Sequence, residues 1–195
     1  MQALTISHSI LVEDATVTAQ PTMKLLGVKL DQELTLKEHI SGKARMAGLG
    51  MHNLLSLRRY LDKQNCLKLT NALIFSHVDN CNSLFINLPK ATLHPLQRIQ
   101  NSCAKIILGA SKYSSATSAL KELHMLPVHV RAQYKILVIV YKCLHDHAPA
   151  YLSNLLQEHV PNRVTRSASK HLLEVPHTTH KTFADRSFSV AGPAL

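Results

Sequence analysis

This sequence contains no tryptophan, and aromatic residues make up only 5% of its 195 positions. Any core must therefore come from Leu, Ile, Val and Ala, which suits packed helices better than a β-sandwich. Its four cysteines, Cys66, Cys81, Cys103 and Cys143, are widely spaced and form no C-x-x-C pair, which excludes a zinc ribbon or thioredoxin-like motif. The longest unbroken apolar run, "ILVIVY" at 136–141, is far too short to span a bilayer. The start, "MQALTISHSILVED", lacks the basic opening and long apolar stretch of a secretory signal. Together these absences point to a soluble intracellular chain, cytoplasmic or nuclear, with reduced thiols and no membrane partner.

Catalytic signatures are missing as well. There is no G-x-S-x-G elbow, and no G-K-[ST] follows "GLG" at 48–50, so neither a hydrolase nor a phosphate loop is indicated. Phe183-Ala184-Asp185 makes three quarters of the aromatic-Ala-Asp-Asp box of reverse transcriptases, but Arg186 takes the fourth place. Two-metal phosphoryl transfer needs paired carboxylates, and the chain has no Asp-Asp dipeptide. Thirteen histidines invite a metal site. Yet His124 and His129 flank Pro127 at a spacing that shares no helix face, and Cys143, His145 and His147 alternate, so they would point apart on a helix. Neither set supplies three converging ligands, which leaves surface or capping histidines.

Acidic residues are also scarce. Twelve Asp and Glu against 22 Lys and Arg give a net charge of +10, a balance that favours a polyanion partner through counterion release. The apolar fraction of 46% is ordinary for a folded domain. Two extended segments, "ALTISHSILV" and "KLLGVKLD", are expected to pair as strands, with Gly27 marking close backbone approach. From Thr35 the period becomes helical, with Thr35 and Glu38 forming a capping box. Leu36, Ile40, Met46, Leu49, Leu54, Leu57 and Leu61 are the expected apolar positions, and Gly48 and Gly50 allow either one bent helix or two pieces. Further helices are expected from Lys63 to His77 and from Thr117 to His124, and between them "NLPKATLHP" at 87–95 reads as a turn that feeds a helix ending at Gly109. Another follows Pro127 and buries Ile136, Leu137, Val140, Tyr141 and Leu144. A last piece covers Ala150–Gln157. From Val160 the sequence is polar and basic without a period, and reads as a tail.

Basic residues gather on the 37–68 helices, at Lys37, Lys43, Arg45, Arg58, Arg59, Lys63 and Lys68, and in the tail at Arg163, Arg166, Lys170, Lys181 and Arg186. Four basic–tyrosine neighbours recur: Arg59-Tyr60, Lys112-Tyr113, Tyr134-Lys135 and Tyr141-Lys142. Each reads either as a phosphate-plus-stacking contact or as an inward tyrosine beside a solvated cation.

Five stretches, in order, resemble the C-terminal part of non-LTR (LINE-type) retrotransposon reverse transcriptases. "KLLGVKLDQELTLKEHI" is similar to the Tyr-Leu-Gly-Val-x-Leu-Asp segment after the palm, and "SHVDNCNSLFINLP" to R-x-D-Y-C-N-S-L-x-x-G-L-P. "LQRIQNSCAKIIL" resembles LQxVQNxAARxI, "LKELHMLPVHVRAQYKI" resembles LxxLHWLPVxxRxxYKI, and "KTFADRSFSVAGPAL" resembles KTFGDRAFSVAAPxLWNSLP. Asn80 stands where tyrosine is usual and Met125 where tryptophan is usual. The sequence ends at Leu195, before the Trp-Asn-Ser-Leu-Pro ending, and the endonuclease, fingers and palm are not in it.

The resemblance implies a mainly α chain in four parts. A primer-grip-like β-hairpin (1–34) would place Leu26, Gly27 and Val28 near a primer end. A thumb-like helical bundle (35–110), a helical extension (111–160) and a truncated, irregular basic tail (161–195) would follow. Lys43, Arg45, Arg58, Arg59, Lys63, Lys68, Arg131, Tyr134 and Lys135 would contact RNA, RNA–DNA or DNA duplex without sequence preference. The parent enzyme would use Mg2+ in its palm, and this chain would hold no cofactor and perform no catalysis. Its other partners would be the parent's palm and fingers. The alternative is a non-functional or host-adopted remnant that acts as a protein-interaction module, since a thumb without its palm exposes an apolar face.

Overall fold

The computed structural model describes residues 9–12, 15–159, 172–178 and 184–195. The chain divides into two compact units, Met1–His39 and Ile40–Leu195. As expected, it is mainly helical, with short antiparallel strands at the N-terminus.

In the first unit, β1 (Ser9–Val12) pairs with β2 (Ala15–Thr18), and β3 (Thr22–Leu25) with β4 (Val28–Asp31), each pair antiparallel. The two extended segments therefore do not pair with each other; "KLLGVKLD" folds back on itself. Its turn residues, Leu26 and Gly27, have φ of 47° and 83°, the doubly left-handed geometry whose twist matches a two-residue hairpin. A Cβ on Gly27 would meet nothing within 4 Å, so its backbone angle, rather than the expected close approach, favours glycine there.

Beyond β4 the Asp31 carboxylate gathers the chain. It accepts from Thr35 N and Thr35 Oγ1, both at 2.5 Å. The Thr35 hydroxyl, already donated, accepts only a long 3.5 Å bond from Lys37 N. The expected capping box therefore gives way to an Asp31–Thr35 relay at the start of α1 (Lys37–Leu57).

Helix α1 runs unbroken through Gly42, Gly48 and Gly50. Its buried positions Ile40, Ala47 and Leu54 recur every seven residues, whereas Met46, Leu49 and Leu57, expected inside, are exposed. At Gly50 this helix meets another backbone. A Cβ on Gly50 would lie 2.7 Å from the Leu73 carbonyl oxygen. That carbonyl belongs to a wide π-turn, Asn71–Phe75, which joins α2 (Lys63–Thr70) to α3 (Ser76–Val78). The run expected from Lys63 to His77 is thus helical throughout, with a local widening at the crossing. Asp62 caps α2 by accepting from Asn65 N at 2.7 Å.

Helix α4 (Lys90–Leu108) ends at Gly109, whose φ of 64° allows Ala110 N to donate back to Lys105 O. Helix α5 (Ala116–Glu122) starts on the Ser115 cap. It packs against α4 through Ala104, Ala119 and Leu120, so the loop at 109–115 lies inside the second unit and does not end a domain. Helix α6 (Val128–Leu144) buries Val128, Ala132, Ile136, Val140 and Cys143. Of the residues expected inside, Leu137, Tyr141 and Leu144 are exposed; the neighbouring elements meet the 132–136–140 edge instead. Helix α7 covers only Ala150–Ser153, and a bridge links Glu158 to Leu173.

The last described residues are more ordered than the periodless sequence implied. Helix α8 (Phe188–Ala194) places Ala191 against Ile86, Ile136 and Val140. A Cβ on Gly192 would come within 3.0 Å of Val140 Cγ2. Small residues do this packing, which hides the helix from a hydrophobic-period search. No helix among the described residues is long and apolar enough to cross a membrane.

Candidate nucleic-acid interface

The second unit is held by polar contacts between distant segments, and these decide which cations remain available. Arg58, a candidate phosphate contact from the sequence, is half-buried. It donates from Nε to Ile106 O (2.7 Å), from Nη2 to Ile107 O (3.2 Å) and from Nη1 to Leu61 O (2.8 Å). Ile106 and Ile107 carry two of the terminal carbonyls of α4, where the helix dipole favours a cation. The guanidinium fork is spent on this clasp, so Arg58 is corrected from a ligand contact to a structural one.

Arg131 is likewise committed. Its Nε donates to Asp79 Oδ1 at 2.8 Å and its Nη2 to Asp79 Oδ2, and its guanidinium sits 5.1 Å from the Phe75 ring centroid. A bidentate carboxylate and an aromatic face satisfy most of what it can offer. Lys63 pairs with Glu122 at 3.1 Å across exposed side chains, a contact worth only about 0–1 kcal/mol, so its charge is merely shared.

The remaining candidates face solvent. Arg45 on α1 and Lys68 on α2 are exposed, and Lys43 is half-buried. Arg59 is exposed and lies 4.7 Å over the Tyr60 ring, so that tyrosine packs on its neighbour and not inward. Arg45, His52 and Arg59 recur at seven-residue spacing on the exposed side. Tyr134 and Lys135 are exposed on α6 and, with Arg131, His124, Leu126, Asp79 and Asn82, line a cleft of about 350 Å³. The structure thus brings Arg131, Tyr134 and Lys135 together, as the sequence pattern implied. Leu26 and Gly27 form the β3–β4 turn of the first unit and Val28 opens β4; Leu26 is exposed and Val28 buried. The tail cations Arg163, Arg166, Lys170 and Lys181 lie outside the described residues.

A larger feature escaped the sequence reading. Lys90, His94, Gln97 and Asn101 on α4 and Thr117, Leu120 and Lys121 on α5 line a groove of about 810 Å³, closed by residues 124–127 and His129. The signal was present in α4 as a polar stripe at four-, three- and four-residue steps. What lay out of reach was the second wall.

The closing turn is pinned to α4 by side-chain amides. Gln97 Oε1 accepts from Val128 N at 2.9 Å, while Gln97 Nε2 donates to Gln100 Oε1 and Asn101 Oδ1. Gln100, fully buried, donates to Leu126 O at 2.8 Å. The stretch "LHMLPVHVR" is therefore a turn latched onto α4; among the described residues no three His, Cys, Asp or Glu are grouped so as to hold a metal ion. No family model, curated protein or solved structure matches this chain.

Proposed function

We propose that this chain binds RNA, RNA–DNA or DNA duplex without sequence preference, as the grip, thumb and C-terminal extension of a non-LTR-type reverse transcriptase. The observation that carries the binding is the surviving set of cations. Arg45, Arg59, Lys68 and Lys135 are exposed and have no acidic partner among the described residues, in a chain of net charge +10. Phosphate contacts of this kind position a polyanion and carry no base information. No catalysis is assigned to the chain, because its sequence has no Asp-Asp pair to hold two metal ions.

The reverse-transcriptase likeness draws support from how the resembling stretches meet. Asp79 of the second stretch pairs with Arg131 of the fourth. Gln97 and Gln100 of the third hold Val128 and Leu126 of the fourth, and Asn87 Nδ2 donates to Asp185 O of the fifth. Asn87, opposite the glycine of its stretch, has a φ of 54°, the left-handed region that glycine adopts freely.

The test is a titration with double-stranded and hybrid oligonucleotides at several salt concentrations. A log–log slope of about −0.9 per phosphate contact is expected; a flat slope refutes the reading. One observation favours the protein-interaction alternative: Tyr134, Leu137, Tyr141 and Leu144 form an exposed stripe at three- and four-residue steps along α6. Concentration-dependent self-association that masks this stripe, with no nucleic-acid affinity, would support it.

A further inference from the structure

We propose that the groove lined by α4, α5 and residues 124–129 holds one unpaired nucleotide of a single-stranded nucleic acid, base on its apolar floor and phosphate at its lysine–histidine rim. This deepens the nucleic-acid reading above and rests on it. The groove's volume of about 810 Å³ falls in the range of roughly 300–1,000 Å³ usual for small-molecule sites. Its floor is Leu93, Leu120, Met125 and Leu126, and a methionine thioether makes favourable contact with a flat ring.

The rim carries Lys90, Lys121, His94, His124 and His129, and none of the lining residues is acidic. The neighbouring Glu122 is engaged with Lys63. The two lysines in a concave site without a counter-charge raise the local concentration of an anion, and the imidazoles offer it hydrogen bonds. The size of the groove excludes a base that remains paired and stacked in a duplex, so the ligand must present an unpaired base, as single-strand binders require.

Two polar groups separate a nucleotide from a lipid phosphate of the same charge. Asn101 gives its oxygen to Gln97 Nε2, and its own amide N–H groups have no partner among the described residues. The Thr117 hydroxyl is in the same position. Both line the groove. A base edge can satisfy them, whereas an acyl chain would bury them unpaired. The site is also pre-organised, since the Gln97–Val128 and Gln100–Leu126 bonds fix the closing turn against α4, which reduces the ordering that binding must otherwise impose.

The experiment uses the full chain, fluorescence anisotropy of a labelled single-stranded oligo(A), and AMP, adenosine and inorganic phosphate as competitors. Thr117→Trp fills the groove from an exposed position without changing charge, and circular dichroism verifies its fold; Asn101→Leu is the second variant if it does not fold. Either variant is expected to weaken oligo(A) binding about ten-fold or more, the contribution of one stacked base, while duplex affinity changes less than about two-fold. AMP should compete better than adenosine or phosphate alone, and Lys121→Gln should lower the single-strand salt slope by about 0.7. If both variants bind oligo(A) as the native chain does while Arg45→Glu weakens oligo(A) and duplex alike, the groove inference falls and the duplex-binding reading stands. If the native chain binds no nucleic acid, both fall. If phosphatidylserine vesicles are captured and Thr117→Trp abolishes only that capture, the groove is a lipid-phosphate site and the inference is wrong.

Discussion

Replacing Arg58 by alanine separates a structural cation from a ligand-binding one. The substitution removes the guanidinium bonds to the Ile107 and Leu61 carbonyls, which have no other partner among the described residues, while Ile106 O keeps its bond from Gly109 N. Two lost charge-assisted bonds at a half-exposed site are worth about 1–1.5 kcal/mol each. Loss of the positive charge at the end of α4 adds about 0.3–1 kcal/mol. The sum, roughly 2–4 kcal/mol, should lower the melting temperature by about 5–12 °C for a chain of this length. Arg58→Lys should recover little of it, because a point charge on a flexible stem cannot reach three carbonyls as a planar fork does. Differential scanning calorimetry reads the stability, and a parallel salt titration reads duplex binding. Arg59→Ala is the matched control, expected to leave the melting temperature within about 1–2 °C, as an exposed substitution does, and to lower the salt slope by about 0.9. An Arg58→Ala protein that melts with the native chain but loses a unit of salt slope would refute the clasp and restore Arg58 as a phosphate contact.

Four further expectations follow from the packing. Gly50→Ala should destabilise by about 1–3 kcal/mol through overpacking, because its Cβ would lie 2.7 Å from the Leu73 carbonyl. Gly48→Ala in the same helix meets nothing within 4 Å and should stabilise by about 0.5–1 kcal/mol; urea midpoints that move in the same direction would contradict the crossing at Gly50. Asp79 and Arg131 should couple by about 1–3 kcal/mol in a double-mutant cycle with Asp79→Asn and Arg131→Met, and additive single effects would show that the bidentate pair contributes nothing specific. Burial pushes the Cys103 thiol up to about 12, with Cys66 beside it adding to the rise. Burial also raises Cys66, against the opposing pull of Arg58 and a hydrogen bond from Thr70. An unfolded thiol ionises near 8.5, so the folded state holds its proton longer. For Cys103 this stability is complete below about pH 8.5 and declines toward pH 12 by up to about 1.4 kcal/mol per pH unit, and the raised Cys66 thiol acts in the same direction. Cys103→Ala should flatten the decline measured by urea unfolding, and an unchanged slope would count against it. In the native chain at pH 8, iodoacetamide should label the exposed Cys81 ahead of the three buried cysteines.

Most helices were legible in the sequence because their signals are local. Gly109 stops α4, Pro127 precedes α6, and period-3.6 spacing marks the runs between them. The β3–β4 hairpin is hard to read from the sequence because "LG" is a weaker hairpin signal than Asn-Gly, although it adopts the same left-handed backbone. The buried faces of α1 and α6 are legible only in part, at Ile40, Leu54, Ile136 and Val140, for another reason. A hydrophobic count weights large residues, whereas the small residues Ala47, Ala132 and Ala191 are buried and Gly50 lies against the Leu73 backbone.

The candidate site divides along the same line. Composition determined the excess of positive charge, and periodicity determined the helices that carry it. Neither could distinguish Arg58 from Arg59, adjacent residues of identical chemistry. Tertiary structure decided between them by bringing the end of α4, 48 residues away, within reach of one guanidinium and leaving the other over Tyr60 in solvent. It likewise assembled the groove from one stripe on α4 and another on α5. Charge is a sum over residues and can be read from a list; hydrogen-bond partnership and concavity depend on which distant backbones meet, and only the fold specifies that.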